Sequence, residues 1–409
     1  MRTAAALLAV GLLLPTAGTA LADTPAGDDS LPGVTQLRRD ASGKPAGCLP
    51  PSTKRTSLTP WPQTFLRPDR VWPLSQGDGV TVAVLGSGVT DGTGLLAGRL
   101  DYAPKLTGGG DPARDCVGHG TFLAGLIAAD RRDGTGFAGL APRARILAVS
   151  VTDDGGATTA DLLAQGITAA SERGVRIIAV GAALPAGNDA LAGAVRAARS
   201  KGAVIVAPAA PDVQPGSGKP GPAYPAAYGE VLAVRDLAPG GALPSGAGAV
   251  PIGGRVDLAA PGDAVTGTGP AAGGNYTGAG PSFAAAFVAA TAALTLGSHP
   301  DLTADQLIRR LETTAYHTVT TPDPQVGYGT IDPVAAVTQL SVPDQAPPAA
   351  TPAALAMPPA PPASTAPTQA VVISLAALAV IALVAAAGAV TPRARARGWR
   401  PGRAEDGQA

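Results

Sequence analysis

Histidine, cysteine and aromatic side chains are scarce: 409 residues hold three His, two Cys, five Phe, six Tyr and three Trp. Two cysteines without nearby histidines lack a zinc ligand set, so no metal site or cofactor is expected. Net charge is lacking as well, 30 basic residues balancing 30 acidic ones. The basic residues cluster only near the carboxyl terminus, which leaves no electrostatic footprint for nucleic acid and sets that partner aside. With so few aromatics, the interior must be packed by small residues, and Ala, Gly and Pro are correspondingly abundant. No internal repeat is visible.

The two ends carry targeting patterns. Met1 and Arg2 precede an apolar run, Ala4 to Leu14, and then Ala20-Leu21-Ala22, a small-residue cleavage pattern. This predicts a signal peptide over 1–22 and a mature start at Asp23, the alternative being an uncleaved anchor. Near the other end, Ala370 to Val390 holds neither charge nor proline. As a helix it is long enough for a hydrocarbon core of about 30 Å, which predicts a transmembrane anchor over 370–390. Arg393, Arg395, Arg397, Arg400 and Arg403 follow it, and the positive-inside rule puts that tail, 391–409, in the cytoplasm. Residues 341–369, largely Pro and Ala, read as an extended stalk. What lies between the signal and the anchor is expected outside the cell membrane, as an extension over 23–58 and a single large domain over 59–340.

Cys48 and Cys116 both fall on the exported side, where a thiol pair oxidises, and one disulfide is predicted. It would staple the extension to the loop ahead of His119 for about 4 kcal/mol if chain entropy dominates. Two unrelated free thiols are the alternative.

The core reads as alternating strands and helices. Short runs rich in β-branched residues, Val80 to Leu85, Arg145 to Val151, Val175 to Val180 and Val204 to Ala207, are separated by longer Ala- and Leu-rich stretches. Such alternation predicts an α/β fold with a predominantly parallel sheet and helices on both faces. Further strands are expected at Glu230 to Arg235 and Arg255 to Leu258. Helix starts are expected where Thr158 with Asp161, and Thr303 with Gln306, fit a capping box, and a helix stop at Gly174 after Arg173.

Two segments carry chemistry, Asp115-Cys116-Val117-Gly118-His119-Gly120-Thr121 and Gly280-Pro281-Ser282-Phe283-Ala284-Ala285-Ala286. A serine hydroxyl becomes a nucleophile when a base takes its proton, and histidine suits that exchange. His119 leads into an apolar helical stretch, Phe122 to Ala129, and Ser282 opens Phe283 to Leu296. Each would stand in a helix's first turn, where free N–H groups and the dipole favour developing negative charge. Taken singly each motif is an ordinary helix cap; together and in this order they are far more specific.

These segments resemble the subtilases, and within them the membrane-anchored mycosins associated with type VII secretion. Gly79-Val80-Thr81-Val82-Ala83-Val84-Leu85-Gly86-Ser87-Gly88-Val89 is similar to the family's aspartate strand, Gly118-His119-Gly120-Thr121 to its histidine motif and Pro281-Ser282-Phe283-Ala284-Ala285 to its serine motif. Gly327-Tyr328-Gly329-Thr330-Ile331-Asp332-Pro333 is similar to the mycosin carboxyl-terminal signature. The resemblance implies a subtilisin-like parallel sheet of about seven strands with the peptide cleft above their carboxyl ends. It also implies a type VII secretion membrane complex, or an exported polypeptide, as partner.

The departures bear on activity. Gly86 stands where the family places its triad aspartate, and glycine can neither hold an imidazole tautomer nor stabilise an imidazolium. The family's oxyanion asparagine ends an Ala-Ala-Gly-Asn run; the stretch here is Ala207-Pro208-Ala209-Ala210-Pro211-Asp212, and alignment by eye sets Pro211 at the asparagine. Proline offers neither a side-chain amide nor a backbone N–H. Ile177-Ile178-Ala179-Val180-Gly181 replaces an Asn-x-Ser run, and Pro281 replaces a Thr before the serine. In a subtilisin, losing the aspartate costs about 10⁴-fold in turnover and losing the oxyanion side chain about 10² to 10³. Asp91, Asp115, Asp236 and Asp257 are substitute carboxylates in principle, yet each reads as a solvated loop or turn residue. His299 and His317 read as helix-terminus and loop residues. The expectation is a catalytically impaired homologue with a structural or peptide-binding role. Its alternatives are an active serine endopeptidase acting through Ser282 and His119, and a peptide-binding decoy.

Overall fold

The computed structural model describes residues 30–107, 110–132, 135–212, 220–246, 249–271, 273–316, 321–340 and 366–396. The signal peptide, nearly all of the stalk, most of the basic tail and His317 lie outside the described residues. By contacts the chain divides into two units, Met1–Gln345 and Ala346–Ala409.

In chain order the first unit contains β1 (Gly33–Val34), α1 (Trp61–Leu66), α2 (Pro68–Val71), β2 (Thr81–Gly86), β3 (Leu100–Tyr102), α3 (His119–Ala128), β4 (Arg145–Ser150), α4 (Ala160–Glu172), β5 (Ile177–Val180) and α5 (Asp189–Ser200). It continues with β6 (Val204–Pro208), β7 (Val231–Leu237), β8 (Leu258–Pro261), β9 (Val265–Thr268), β10 (Asn275–Gly278), α6 (Pro281–Ser298), α7 (Ala304–Thr313) and α8 (Pro333–Thr338). Seven strands form one sheet in the order β3-β4-β2-β5-β6-β7-β8, and every pairing within it is parallel. A second, three-stranded sheet has the order β1-β10-β9.

Burial on both faces explains why the strands read as continuous apolar runs instead of alternating ones. On one face Val82, Val84, Ala179, Val206 and Val234 pack against Phe122, Leu126 and the Ala-rich side of α6. On the other, Ala83, Leu85, Ile178, Val180 and Ile205 meet Leu163, Ile167, Leu191 and Val195 of α4 and α5. α6 is buried from Pro281 to Leu296, and its run of alanines lets it lie close under the sheet. That helix is long and apolar enough to cross a membrane, but 89% of it is buried in the core.

The capping box at Thr303 and Gln306 is present at the start of α7. Gly174 follows the cap Arg173 with φ 69°. At α4 the cap falls one residue later than expected: Thr159 accepts from the Leu162 N–H, because the Thr158 hydroxyl turns back to donate to the Val151 carbonyl at 2.6 Å. The last strand of the seven-stranded sheet, β8, begins at Leu258, not Arg255. The Arg255 guanidinium is drawn aside onto the carbonyls of Ala226 and Tyr228.

The amino-terminal extension is tied to the domain by the Cys48–Cys116 disulfide. The Leu49 N–H donates to the Cys116 carbonyl at 2.8 Å, and the Tyr276 hydroxyl joins the Ser52 N–H and the Pro50 carbonyl. In the second unit, α9 (Ala366–Ala396) contains a stretch, Val371–Arg393, with mean hydropathy 2.7 and none of it buried, long and apolar enough to span a bilayer.

Candidate active site

Parallel strands leave a crevice above their carboxyl ends where the strand order reverses. Here the chain starts the sheet at β2, runs to the edge strand β3 and back to β4 between them on one side, then turns to β5 through β8 on the other. The carboxyl ends of β2 and β6, and the starts of α3 and α6, meet there.

His119 is the first residue of α3, and Gly118 before it has φ 88°. Gly120 is required by contact, since a Cβ there would lie 2.1 Å from the Gly88 carbonyl oxygen. The helix start is secured by Asp115, 4% exposed. Its Oδ1 accepts the Gly118 N–H at 2.8 Å, and its Oδ2 accepts the Thr121 N–H at 2.8 Å and the Thr121 hydroxyl at 2.6 Å. Ser87 Oγ accepts the Gly120 N–H at 2.9 Å. The extension presses on the same turn, Leu49 Cδ2 lying 2.5 Å from where a Gly118 Cβ would be.

Ser282 lies in the first turn of α6. His119 and Ser282 are each 1% exposed, and His119 Nε2 is 2.9 Å from Ser282 Oγ. The Phe283 ring meets the imidazole edge-on at a centroid distance of 5.1 Å.

A third group joins them. Asp212, beyond the end of β6 and 8% exposed, has Oδ2 3.0 Å from His119 Nε2 and accepts the Ser282 hydroxyl at 2.6 Å. Its Oδ1 accepts the Ser282 N–H at 2.9 Å. From the segment Ala207 to Asp212, the side chain that reaches the serine is therefore that of Asp212, one residue beyond Pro211. The carboxylate meets the imidazole on the nitrogen that faces Ser282. Sequence reasoning did not single out Asp212; a one-residue shift of the by-eye alignment would have found it.

Gly86 ends β2 opposite Ser150 of β4. A Cβ at Gly86 would meet only Gly120 Cα, at 3.5 Å, so the position lacks a side chain without being filled by another. Residues paired in a parallel ladder face the same side; Ser150 Oγ beside it is buried without a hydrogen-bond partner among the described residues.

The other aspartates have separate structural duties. Asp91 accepts from the Leu96 N–H in its own loop. Asp257 accepts the Ala233 N–H at 2.8 Å and pairs with Arg255 at 3.1 Å; burial raises its carboxyl above the ordinary value. Asp236 of β7 is 2% exposed, so it is no solvated turn residue. Its Oδ1 is buried without a partner among the described residues, and burial pushes its carboxyl up to about 6, opposed by Arg235 and reinforced by Asp212 and Asp263. His299 caps the end of α6, with Nε2 2.8 Å from the Val337 carbonyl. A cavity of about 660 Å³ lined by Asp78, Asp101, Arg173 and Arg176 lies at the amino ends of the strands, the end of the sheet away from Ser282.

A histidine and a serine at two helix starts over the carboxyl ends of a seven-stranded parallel sheet define a subtilisin-like hydrolase scaffold. The sequence profile of the subtilase family matches residues 77–329, and the chain belongs to that family. It is 32% identical to mycosin-4 of Mycobacterium tuberculosis over 336 residues, 71% of either chain. To thermitase of Thermoactinomyces vulgaris it is 36% identical over 173 residues, 42% of this chain and 60% of thermitase's length. Among solved structures it is similar to the MycP3 protease from the type VII (ESX-3) secretion system, with 31% identity and a TM-score of 0.62, covering 72% of this chain and 91% of that one. It is also similar to a chain of an intact ESX-5 inner membrane complex, with 27% identity and a TM-score of 0.64 over 89% of this chain and 97% of that one. These likenesses support the mycosin subfamily.

Proposed function

We propose that this subtilase is a membrane-anchored, extracytoplasmic component of a type VII secretion membrane complex, with its peptide-cleaving chemistry impaired and a structural or peptide-binding role retained. The observation that carries the impairment is at the imidazole. Acyl transfer by serine needs a carboxylate on the far ring nitrogen, which fixes the tautomer and stabilises the imidazolium, leaving Nε2 free to take the serine proton. Here the strand position for that group is Gly86, and the nearby carboxylate of Asp212 shares Nε2 with Ser282. It competes with the serine for the nitrogen instead of supporting it from behind.

The membrane role is supported by the 23-residue apolar stretch Val371–Arg393 and by the likeness to a chain of the ESX-5 inner membrane complex. The arginines that follow support, by the positive-inside rule, a cytoplasmic tail and a subtilase domain on the outer side.

A second reading, an active endopeptidase processing exported polypeptides, is favoured by one distance, the 2.9 Å between His119 Nε2 and Ser282 Oγ, within reach for proton transfer. Treating the full-length protein in detergent with a fluorophosphonate, alongside an active subtilisin, decides between them. Slow or absent modification of Ser282 and no turnover of unstructured peptides are expected. Labelling at the subtilisin's rate, with turnover abolished in Ser282→Ala, would replace the first reading by the second.

A further inference from the structure

The backbone N–H of Ser282 lies in the first turn of α6, where amides have no partner within the helix. In acyl transfer this is the donor that meets the carbonyl oxygen as it becomes an oxyanion. In this chain it already has a partner, Asp212 Oδ1 at 2.9 Å. Asp212 Oδ2 holds the serine hydroxyl at 2.6 Å and approaches His119 Nε2 at 3.0 Å. The backbone is shaped to admit this carboxylate. Gly280 has φ 145°, and a Cβ there would lie 2.4 Å from Asp212 Oδ1.

The geometry points to Asp212 as a resident anion of the oxyanion pocket: its carboxylate occupies the donors that a substrate carbonyl oxygen would need, and so closes the site to acyl and phosphonyl transfer independently of the missing triad aspartate. This rests on the reading of the domain as an impaired subtilase and adds a cause that a single residue can reverse. An asparagine in the same place presents an N–H₂ to the pocket, whereas a carboxylate only accepts. A carbonyl oxygen gaining negative charge there would face a like charge at hydrogen-bond distance. Asp236 adds to the negative field, its charge and that of Asp212 opposing each other. It lies near the same turn, its Cβ 2.5 Å from where a Gly262 Cβ would lie, a place itself 2.8 Å from the Gly280 carbonyl oxygen.

The test compares second-order rate constants for fluorophosphonate modification of Ser282 in the full-length protein, with Tm recorded for each variant. Removing one oxyanion donor costs about 10² to 10³ in rate, so Asp212→Asn, which removes the anion and supplies a donor, is expected to raise the rate at least about tenfold. Asp212→Ala, which only removes the anion, gains less. Gly86→Asp alone leaves the rate within about twofold, because the pocket is still filled, and the double variant with Asp212→Asn is the fastest. An unchanged or slower rate in both Asp212→Asn and Asp212→Ala at unchanged Tm overturns the proposal, as does Gly86→Asp alone matching Asp212→Asn. If Asp212→Asn does not fold, Asp212→Ala decides by the same comparison, and a rate equal to the unsubstituted protein's counts against the resident anion. Rapid labelling of the unsubstituted protein would instead defeat the impaired reading, a separate outcome read before any variant is made.

Discussion

Two helices begin at this site, and each has a carboxylate seated on its first amides. At α3, Asp115 takes two N–H groups and the Thr121 hydroxyl. At α6, Asp212 takes the Ser282 N–H, the Ser282 hydroxyl and a contact with the imidazole. The chemistry is the same, an anion satisfied at a helix start. Its consequence differs with what the amides were for. At α3 they only need partners, and Asp115 positions the turn that presents His119. At α6 one amide is the group an acyl substrate would use, so the same stabilising arrangement withdraws it.

The comparison breaks most strongly at the disulfide, which braces the α3 start from outside. Cys48 and Cys116 are separated by 68 residues, and releasing that closed loop in a Cys48→Ser, Cys116→Ser double variant should cost about 4 kcal/mol by chain entropy. Urea unfolding of the double variant checks this. A loss below about 1 kcal/mol would show that the hydrogen bonds of Asp115 hold the turn without the bridge.

Next is Asp115 itself. Asp115→Ala leaves two buried amides and a hydroxyl without an acceptor, for an expected loss of about 3 kcal/mol. In a domain of this size that is a fall of roughly 5–10 °C in Tm. Asp115→Asn, which keeps one acceptor, should lose about half as much. Equal losses in the two variants would mean that the carboxylate's charge, not its number of acceptors, secures the turn.

A smaller, pH-dependent effect is expected behind the α6 start. Burial pushes the Asp236 carboxyl up to about 6, against about 3.9 in an unfolded chain. Between those values the folded chain binds more protons than the unfolded one, so this group's contribution to stability is largest below pH 4 and is lost as pH rises through 6. Asp236→Asn removes the titration. The stability difference between the variant and the unsubstituted protein should therefore shift in the variant's favour by about 2 kcal/mol from pH 4 to pH 8. Glu312, pushed up to about 7 chiefly by burial and next by Asp257, has the same sign and persists in both proteins, so it cancels in the difference. A pH-independent difference would show that Asp236 titrates normally.

Much of this arrangement is legible in sequence, because its causes are local. Fully buried parallel strands demand runs such as Val82-Ala83-Val84-Leu85, and α6 is legible in its long Ala-rich apolar run, interrupted only by Thr291 and Thr295 between Phe283 and Leu296. β3 escapes because its three residues, Leu100-Asp101-Tyr102, lie on the sheet edge with little burial to pattern them. β1, β9 and β10 form a sheet apart, from segments too short to carry a period. At the site, His119, Ser282 and the side-chain-free Gly86 are each visible in a local motif. Asp212 is not, because its partners lie 93 and 70 residues away, and nothing in Ala-Pro-Ala-Ala-Pro-Asp foretells which of its last two residues turns inward. Asp236 escapes for a related reason: an aspartate in a strand reads as a turn residue until the fold buries it.

The least effect is expected at a helix whose cap is wholly local. At α7, Thr303 accepts the Gln306 N–H while the Gln306 side chain accepts the Thr303 N–H at 2.9 Å, and both residues are solvent-accessible. Thr303→Ala forfeits the first of these bonds, and water replaces much of what is lost, so about 1 kcal/mol is expected. Asp115→Ala forfeits three bonds, so its roughly threefold larger expected loss reflects the number of bonds and their burial together. If the two variants lost equal stability in urea unfolding, neither the number of bonds nor their burial would add anything at the α3 start, and the contrast between a helix start that serves only the fold and one that also serves the site would rest on geometry alone.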